Sequence, residues 1–231
     1  MIKQLLKAFH QPVPYQDDYI ELMRRVNAGM LHQGNIACFD YAVSHLPSGH
    51  PIVEIGTFCG LSANVITYFK KIHQKNNLLV STDKLSQSSK KGIAGRSHMS
   101  YEDYWQYVRE SLLRNTRFFS RDDPPYLLDQ SSDDFFNLWQ ENCQLVDLTG
   151  KTLTLGGPVS FAYIDGNHHY EQVKKDFEHC DHYLEKDGFI LFDDSADFSD
   201  FEVKKVIREV KKTRRYRVIM KNPNYLFQKI K

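Results

Sequence analysis

Five polar clusters in this chain are spaced so that they could do chemistry together: Glu54 to Gly60, Asp83, Ser131–Ser132, Asp165 and Asp193–Asp194. Each stands at the end of a short apolar run of the kind that forms a buried strand. In the segment Val53-Glu54-Ile55-Gly56-Thr57-Phe58-Cys59-Gly60-Leu61-Ser62, the glycines at 56 and 60 permit a tight turn and a close approach of backbone to ligand. The amides that open the following helix can receive a carboxylate, and the Ser62 hydroxyl can add to that contact. Asp83 stands 29 residues after Glu54, at the end of the next apolar run. An acid in that place accepts bonds from ribose hydroxyls, so the pair of motifs points to a nucleoside. Taken alone, the glycines could serve a purely structural turn; Glu54 before them and Asp83 after the next strand favour a ligand. A dinucleotide is disfavoured, because its GxGxxG fingerprint wants glycine where Phe58 stands.

Asp165 closes one strand and the Asp193–Asp194 pair closes the next in sequence. If those strands are neighbours, three carboxylates converge above the sheet, where they repel unless a cation or protons intervene. Oxygen donors with room for water suit Mg²⁺, with Mn²⁺ or Ca²⁺ as alternatives. A strand-end aspartate can equally cap the following helix or contact an amino group of a cofactor, with no metal involved. His168 lies three residues beyond Asp165; its imidazole titrates near neutral pH and can take a proton, or can simply bond backbone at a helix start. His169, His179 and His182 read as surface or capping groups, and their partners are not the thiolates of a zinc cluster. Phe58, Trp105, Tyr163 and Tyr170 are candidate pocket aromatics, although aromatics in such a fold are more often core.

These groups need elements to hold them. Residues 1–46 read as a helical N-terminal cap, with Ile20, Met23, Val26 and Met30, then Phe39, Val43 and Leu46, at helical spacing. Strands are expected at Pro51–Ile55, Leu78–Thr82, Tyr126–Leu128, Val159–Ile164 and Gly188–Phe192. Helices are expected near Leu61–His73, Tyr101–Leu113, Tyr170–Leu184 and Glu202–Thr213. Ser132, followed by Asp133 and Asp134, has the composition of a helix N-cap. Residues 84–100 have no period and read as a mobile loop, expected with the N-terminal helices to form a lid and substrate wall. Thr149–Gly157 reads as an inserted hairpin, and Tyr216–Met220 with Tyr225–Ile230 as a terminal one. Alternating strands and helices argue for a mainly parallel α/β sheet, and 231 residues suit one such domain.

VEIGTFCGLSA resembles the first motif of the class I methyltransferases, especially those of the catechol O-methyltransferase group. FAYIDGNHHYE followed by GFILFDD is similar to the small-molecule O-methyltransferases of the macrocin O-methyltransferase and cephalosporin hydroxylase-like kind. These motifs span residues 50 to 195. The resemblance implies a Rossmann-like fold with a mainly parallel seven-stranded sheet, a terminal antiparallel hairpin and flanking helices. It implies an enzyme that transfers the methyl group of S-adenosylmethionine to a hydroxylated small molecule. Glu54, Gly56, Thr57, Phe58, Gly60, Ser62, Asp83, Ser131, Ser132 and Asp165 would then bind the cofactor. It further implies Asp165, Asp193 and Asp194 as ligands of Mg²⁺ or another divalent cation, and Asp165 with His168 as the catalytic groups. Asn167 departs from relatives that carry a second aspartate there, which moves the expected base to His168. The same departure keeps open a cofactor-binding module that lost catalysis and serves a partner protein; a nicotinamide-dependent oxidoreductase is the remaining alternative.

Thirty basic residues against 29 acidic ones leave a formal charge of +1, which predicts no general attraction to nucleic acid or anionic membrane. No apolar run approaches a membrane span, and the N-terminus lacks the features of a signal peptide. Cys38, Cys59, Cys143 and Cys180 include no CxxC pair and read as reduced thiols of a cytoplasmic protein. A homodimer is compatible with all of this.

Overall fold

The computed structural model describes residues 13, 15–86 and 99–231, so the core of the expected loop at 84–100 lies outside the described residues. Helix α1 (Asp18–Val26) is capped by Asp17, whose carboxylate accepts from the Tyr19 and Ile20 amides at 2.9 Å. Those bonds satisfy donors that a helix start leaves unpaired. A second helix, α2 (Gln33–Ser44), follows an extended link, so the described part of the N-terminal cap is two helices rather than one continuous pattern. The break has a local cause. Asn27 leaves the helix to donate to the Cys59 carbonyl at 3.0 Å and to accept from Asn64 at 2.7 Å. Ile20 and Met23 are buried as expected, but Val26 and Met30 are 59% and 82% exposed, because the helical phase ends between them.

The remaining elements run β1 (Ile52–Ile55), α3 (Leu61–Ile72), β2 (Leu79–Asp83), α4 (Tyr101–Phe119), β3 (Tyr126–Asp129) and α5 (Ser132–Gln140). Then come β4 (Gln144–Val146), β5 (Thr152–Thr154), β6 (Val159–Ile164), α6 (Tyr170–Tyr183), β7 (Leu184–Phe192), α7 (Val203–Thr213), β8 (Tyr216–Lys221) and β9 (Tyr225–Lys229). Seven strands form one sheet in the order β3-β2-β1-β6-β7-β9-β8. Pairing is parallel from β3 to β7, and β9 enters antiparallel between β7 and β8. This is the Rossmann-like α/β architecture with its closing hairpin. The inserted hairpin is present too, but it pairs β4 with β5, so its first strand begins upstream of the expected Thr149.

Side-chain alternation divides the core between the two faces of the sheet. Ile52, Phe161, Tyr163, Phe189 and Leu191 pack with α1, α2 and α3. Val53, Ile55, Ala162, Ile164, Ile190 and Phe192 pack with α5, α6 and α7. On α7, Val203, Val206, Ile207 and Val210 supply the buried stripe, and Lys205, Lys211 and Lys212 are exposed to solvent. Among the described residues no helix is long and apolar enough to cross a membrane.

One polar residue sits inside the first of these layers. Glu54, in the middle of β1, is completely buried. Its carboxyl group accepts from the Ser62 hydroxyl of α3, from Ser81 Oγ of β2 at 2.6 Å and from Thr57 Oγ1 of the intervening turn at 3.3 Å. Burial dominates and pushes its pKa up to about 7, against the opposing effect of the three hydroxyl donors.

A carboxyl whose pKa rises on folding takes up protons as the chain folds. Its stabilising share is complete below the unfolded value of 4.5 and is lost as pH climbs through about 7. Glu54→Gln keeps the shape and removes the titration. Between pH 4.5 and 7 the melting temperature of the variant, measured against the parent, is expected to move in the variant's favour by at least about 3 °C and then level off. A difference that stays flat across that window would contradict the buried-carboxyl assignment.

Candidate functional site

The strand order doubles back between β1 and β6, with β2 and β3 on one side and β7 on the other. Crevices form beyond the carboxyl ends of strands at such a reversal. Here a cavity of about 740 Å³ opens at that place. Gly56, Thr57, Phe58, Ser62 and Asp83 form one wall, with Ser131 and Ser132 beside them. Asp165, His168, Asp193 and Asp194 form the facing wall. Two members of the expected set stand elsewhere. Glu54 lies behind the turn with its oxygens committed to hydroxyls, and Gly60 is the left-handed N-cap of α3, at φ +85°.

The β1–α3 turn is held from two sides. Gly56 has φ +88°, and a Cβ there would stand 2.0 Å from the carbonyl oxygen of Asp165, so only glycine lets the turn lie against the end of β6. Asp83 Oδ2 accepts from the amides of Thr57 at 3.0 Å and Phe58 at 2.7 Å. Phe58 itself adopts a left-handed backbone at φ +47°, a conformation that costs energy for a non-glycine residue and persists where its surroundings over-determine it. Burial pushes the Asp83 carboxyl up, and the backbone donors Phe58, Thr57 and Lys84 pull it back down.

The facing wall is organised by asparagines far away in the chain. Asp193 Oδ1 accepts from Asn35 Nδ2 of α2 and from Asn224 Nδ2 of the β8–β9 turn, both at 2.6 Å, and Asn224 also donates to Asn35 Oδ1 at 3.0 Å. Gly34 makes this possible: a Cβ there would lie 1.5 Å from the Asn222 carbonyl oxygen, so α2 can approach the hairpin turn only through glycine. Asp165 is half-buried at the cavity. Burial, the charge of Asp193 and a hydrogen bond with Asp193 drive its pKa well above the carboxylate range, while Tyr163 Oη, donating at 2.8 Å, pulls it down. Asp165 therefore favours its protonated form beside Asp193. Asp194, at φ +48°, turns the other way, and its Oδ2 lies 3.1 Å from His168 Nδ1. The Asp194 hydrogen bond raises the His168 pKa against the opposing effect of burial. Asn167 Oδ1 accepts from the His169 amide at 2.9 Å, so this side chain acts as a turn brace ahead of α6.

The α5 side required one correction. The N-cap is Ser131, whose Oγ accepts from the Asp134 amide at 3.2 Å, and Ser132 is the first helical residue. Both serines satisfy the composition rule, and only backbone geometry separates them. Gln172 Nε2 reaches from α6 to Ser132 Oγ at 3.1 Å and to Asp176 Oδ1 at 3.0 Å. Neither Gln172 nor Asp176 stands at a strand end, so neither was expected here. Of the candidate aromatics, Phe58 and Trp105 line the cavity. Tyr163 is a core residue that presents only its hydroxyl to Asp165, and Tyr170 donates to Glu209 outside the cavity. The link between α1 and α2 closes the top through Gly29, Met30, Leu31 and His32, so part of the expected N-terminal wall is present.

A nucleoside cofactor fits what this cavity offers. Two buried polar atoms of residues that line it, Trp105 Nε1 and Asp176 Oδ2, have no partner among the described residues. The cation implied by the resemblance fits less well. Asp165, Asp193 and Asp194 do meet at the cavity, but the first two are bonded to each other and the third is turned to His168. Among the described residues no three His, Cys, Asp or Glu side chains are grouped as a metal ion requires.

Solved structures with this architecture include an O-methyltransferase from Bacillus cereus in complex with SAH, at 14% identity and TM-score 0.58, covering 100% of this chain and 97% of that one. The O-methyltransferase NovP matches at 15% identity and TM-score 0.59, covering 97% and 94%. CalS11, a calicheamicin methyltransferase, matches at 16% identity and TM-score 0.55, covering 94% and 95%. At these identities the likeness concerns the fold. No curated protein sequence matches the chain. The family model described as "Methyltransferase domain", however, matches residues 53–195, more than half of the chain and the whole span from β1 to the Asp193–Asp194 pair, and the protein belongs to that methyltransferase family.

Proposed function

We propose that this methyltransferase carries the methyl group of S-adenosylmethionine to a hydroxyl of a small molecule, with His168 as the base. One juxtaposition carries the reading. The turn Gly56–Phe58, braced by Asp83, faces the His168–Asp194 pair across a single cavity at the β1/β6 reversal. The fold likeness to O-methyltransferases, one of them in complex with SAH, supports the same choice of cofactor and acceptor atom.

In this reading the α3 amides beyond the turn and the Ser62 side receive the amino-acid end of the cofactor, while the Asp83 carboxylate, beyond its backbone donors, takes the ribose hydroxyls. Ser132, held by Gln172, and Trp105, whose Nε1 has no partner among the described residues, line the same cavity for the rest of the nucleoside. Bound there, the cofactor supplies an electrophilic methyl carbon. His168 Nδ1 is held by Asp194, which leaves Nε2 to accept the proton of an acceptor hydroxyl as its oxygen attacks. The bond to Asp194 also strengthens the imidazole as a base. Asp165 keeps its proton next to Asp193, so the wall under the reacting centre carries less negative charge than three aspartates suggest. Much of the acceleration would come from holding two reactants in one frame. The α1–α2 link, with Met30 and His32, is placed to choose the acceptor.

Calorimetry with adenosylhomocysteine should show saturable binding to the parent chain, and Asp83→Ala should weaken it by at least about tenfold, a loss of about 1.4 kcal/mol. A folded parent that takes up no adenosylhomocysteine would end the proposal. His168→Ala should lower turnover of labelled adenosylmethionine onto a hydroxylated acceptor by about 10²–10³-fold and leave adenosylhomocysteine affinity within about twofold. Turnover unchanged in that variant would remove His168 from the chemistry. Running the same assay in chelator separates two arrangements of Asp194: activity that survives belongs to the His168 pair, and activity that is lost puts Asp194 on a cation.

A further inference from the structure

A second cavity, of about 1010 Å³, lies away from the catalytic one, where the last turn of α3 meets Tyr19 of α1 and the end of α4. Its floor carries an unusual charge. The Lys70 side chain is 2% exposed, and its ion-pair partner is Asp123 at 2.7 Å, a residue 57% exposed. A buried ammonium is costly unless it is well paired, and here the pairing comes from one solvent-facing carboxylate. Thr67, on the same face of α3, is 5% exposed and lines this cavity, yet its Oγ1 has no hydrogen-bond partner among the described residues. Buried hydroxyls are paired in the great majority of cases.

The rim adds two more lysines, with Asp122 and Asp123 beside them. Lys71 reaches Asp122 at only 3.5 Å, with both side chains largely exposed, and Lys75 makes no ion pair among the described residues. Lysines in a last helical turn are explained in part by the helix dipole. That account covers neither the burial of Lys70 nor the idle Thr67 hydroxyl. The opposite wall is aromatic. Tyr19 lies 5.0 Å from Tyr68 and 6.3 Å from Phe119, centroid to centroid, and the Tyr68 hydroxyl is already spent on Asp17 at 2.7 Å.

We propose that this second cavity binds a small organic anion, its carboxylate or phosphate seated on Lys70, Thr67 and Lys75 and its flat apolar body against Tyr19 and Phe119. Thr67 Oγ1 then gains the acceptor that the described residues do not give it, Lys70 gains a second one beside Asp123, and the charge of Lys75 is met. The site is independent of the methyl-transfer reading, because none of these residues lines the catalytic cavity.

The test is titration of the full chain with phenyl phosphate, benzoate and inorganic phosphate at constant ionic strength, followed by calorimetry and thermal shift. The catalytic cavity is filled with adenosylhomocysteine in a parallel series. Saturable binding of phenyl phosphate or benzoate is expected, unaffected by adenosylhomocysteine and tighter than that of inorganic phosphate. Preference between the first two identifies the anionic group. Thr67→Val and Lys75→Met should each weaken binding at least fivefold, while adenosylhomocysteine affinity stays unchanged in both. Lys75 lies at the rim, so its replacement keeps the test valid even if the buried threonine position disturbs folding. Absence of saturable binding overturns the proposal, as does competition by adenosylhomocysteine, equal affinity for inorganic phosphate, or undiminished binding in both variants.

Discussion

The geometry of the Gly56–Phe58 wall of the cavity depends on a single buried carboxyl. Glu54 ties the first strand to the second, to the helix that follows and to the turn between them, and no water reaches it. Three hydroxyl donors offset part of the cost of removing it from solvent, and the rest appears as its raised pKa. The structural return is rigidity just behind the Gly56–Phe58 turn. Asp83 then completes the turn from the neighbouring strand end by gathering two consecutive amides on one oxygen. A backbone bend with a left-handed phenylalanine is expensive in isolation; between these two acids it has no cheaper alternative.

The opposite wall solves a like-charge problem. Two carboxyls at adjacent strand ends repel in a site of low dielectric. The chain holds them together with a raised proton affinity at Asp165, a tyrosine hydroxyl and two carboxamides rather than with a basic side chain. The carboxamides come from α2 and from the final hairpin turn, so the N-terminal cap and the C-terminal strands both take part in positioning Asp193. That arrangement also explains why a hairpin closes the sheet beside β7. Inserting β9 there brings Asn224 to the carboxyl end of β7.

Much of this was readable from residue order. Parallel strands are buried on both faces and so read as apolar runs, and their polar successors mark where the sheet ends. For that reason Asp83, Asp165 and Asp193 could be assigned to strand ends with the ligand site above them, whereas Glu54, one residue before the end of β1, faces the core instead. What escaped has a common cause. Asn35 and Asn224 meet Asp193 across 158 and 31 residues, and nothing in their neighbourhoods distinguishes them from ordinary surface amides. The cap at Ser131 rather than Ser132 turns on φ and ψ, which two adjacent serines do not reveal. Val26 and Met30 continued a helical rhythm that the Asn27 side chain interrupts by bonding to the Cys59 carbonyl. The rhythm was real, but the tertiary contact decided where it stopped.

Asn167 carries the last step of the synthesis. An amide where relatives hold a carboxylate looks like a lost base, and taken alone it argues for a protein that binds without reacting. Its carbonyl oxygen, however, is used by the His169 amide, which fixes the loop just ahead of α6. That fixed loop carries His168 to within 3.1 Å of Asp194, and Asp194 adopts a left-handed backbone to meet it. Neither residue is packed away: both side chains are about one-third exposed and both line the cavity. A histidine kept only for packing would not require a strained aspartate aimed at its Nδ1. In the proposed mechanism the His–Asp pair supplies, one residue along, the proton acceptor that an amide at 167 cannot be.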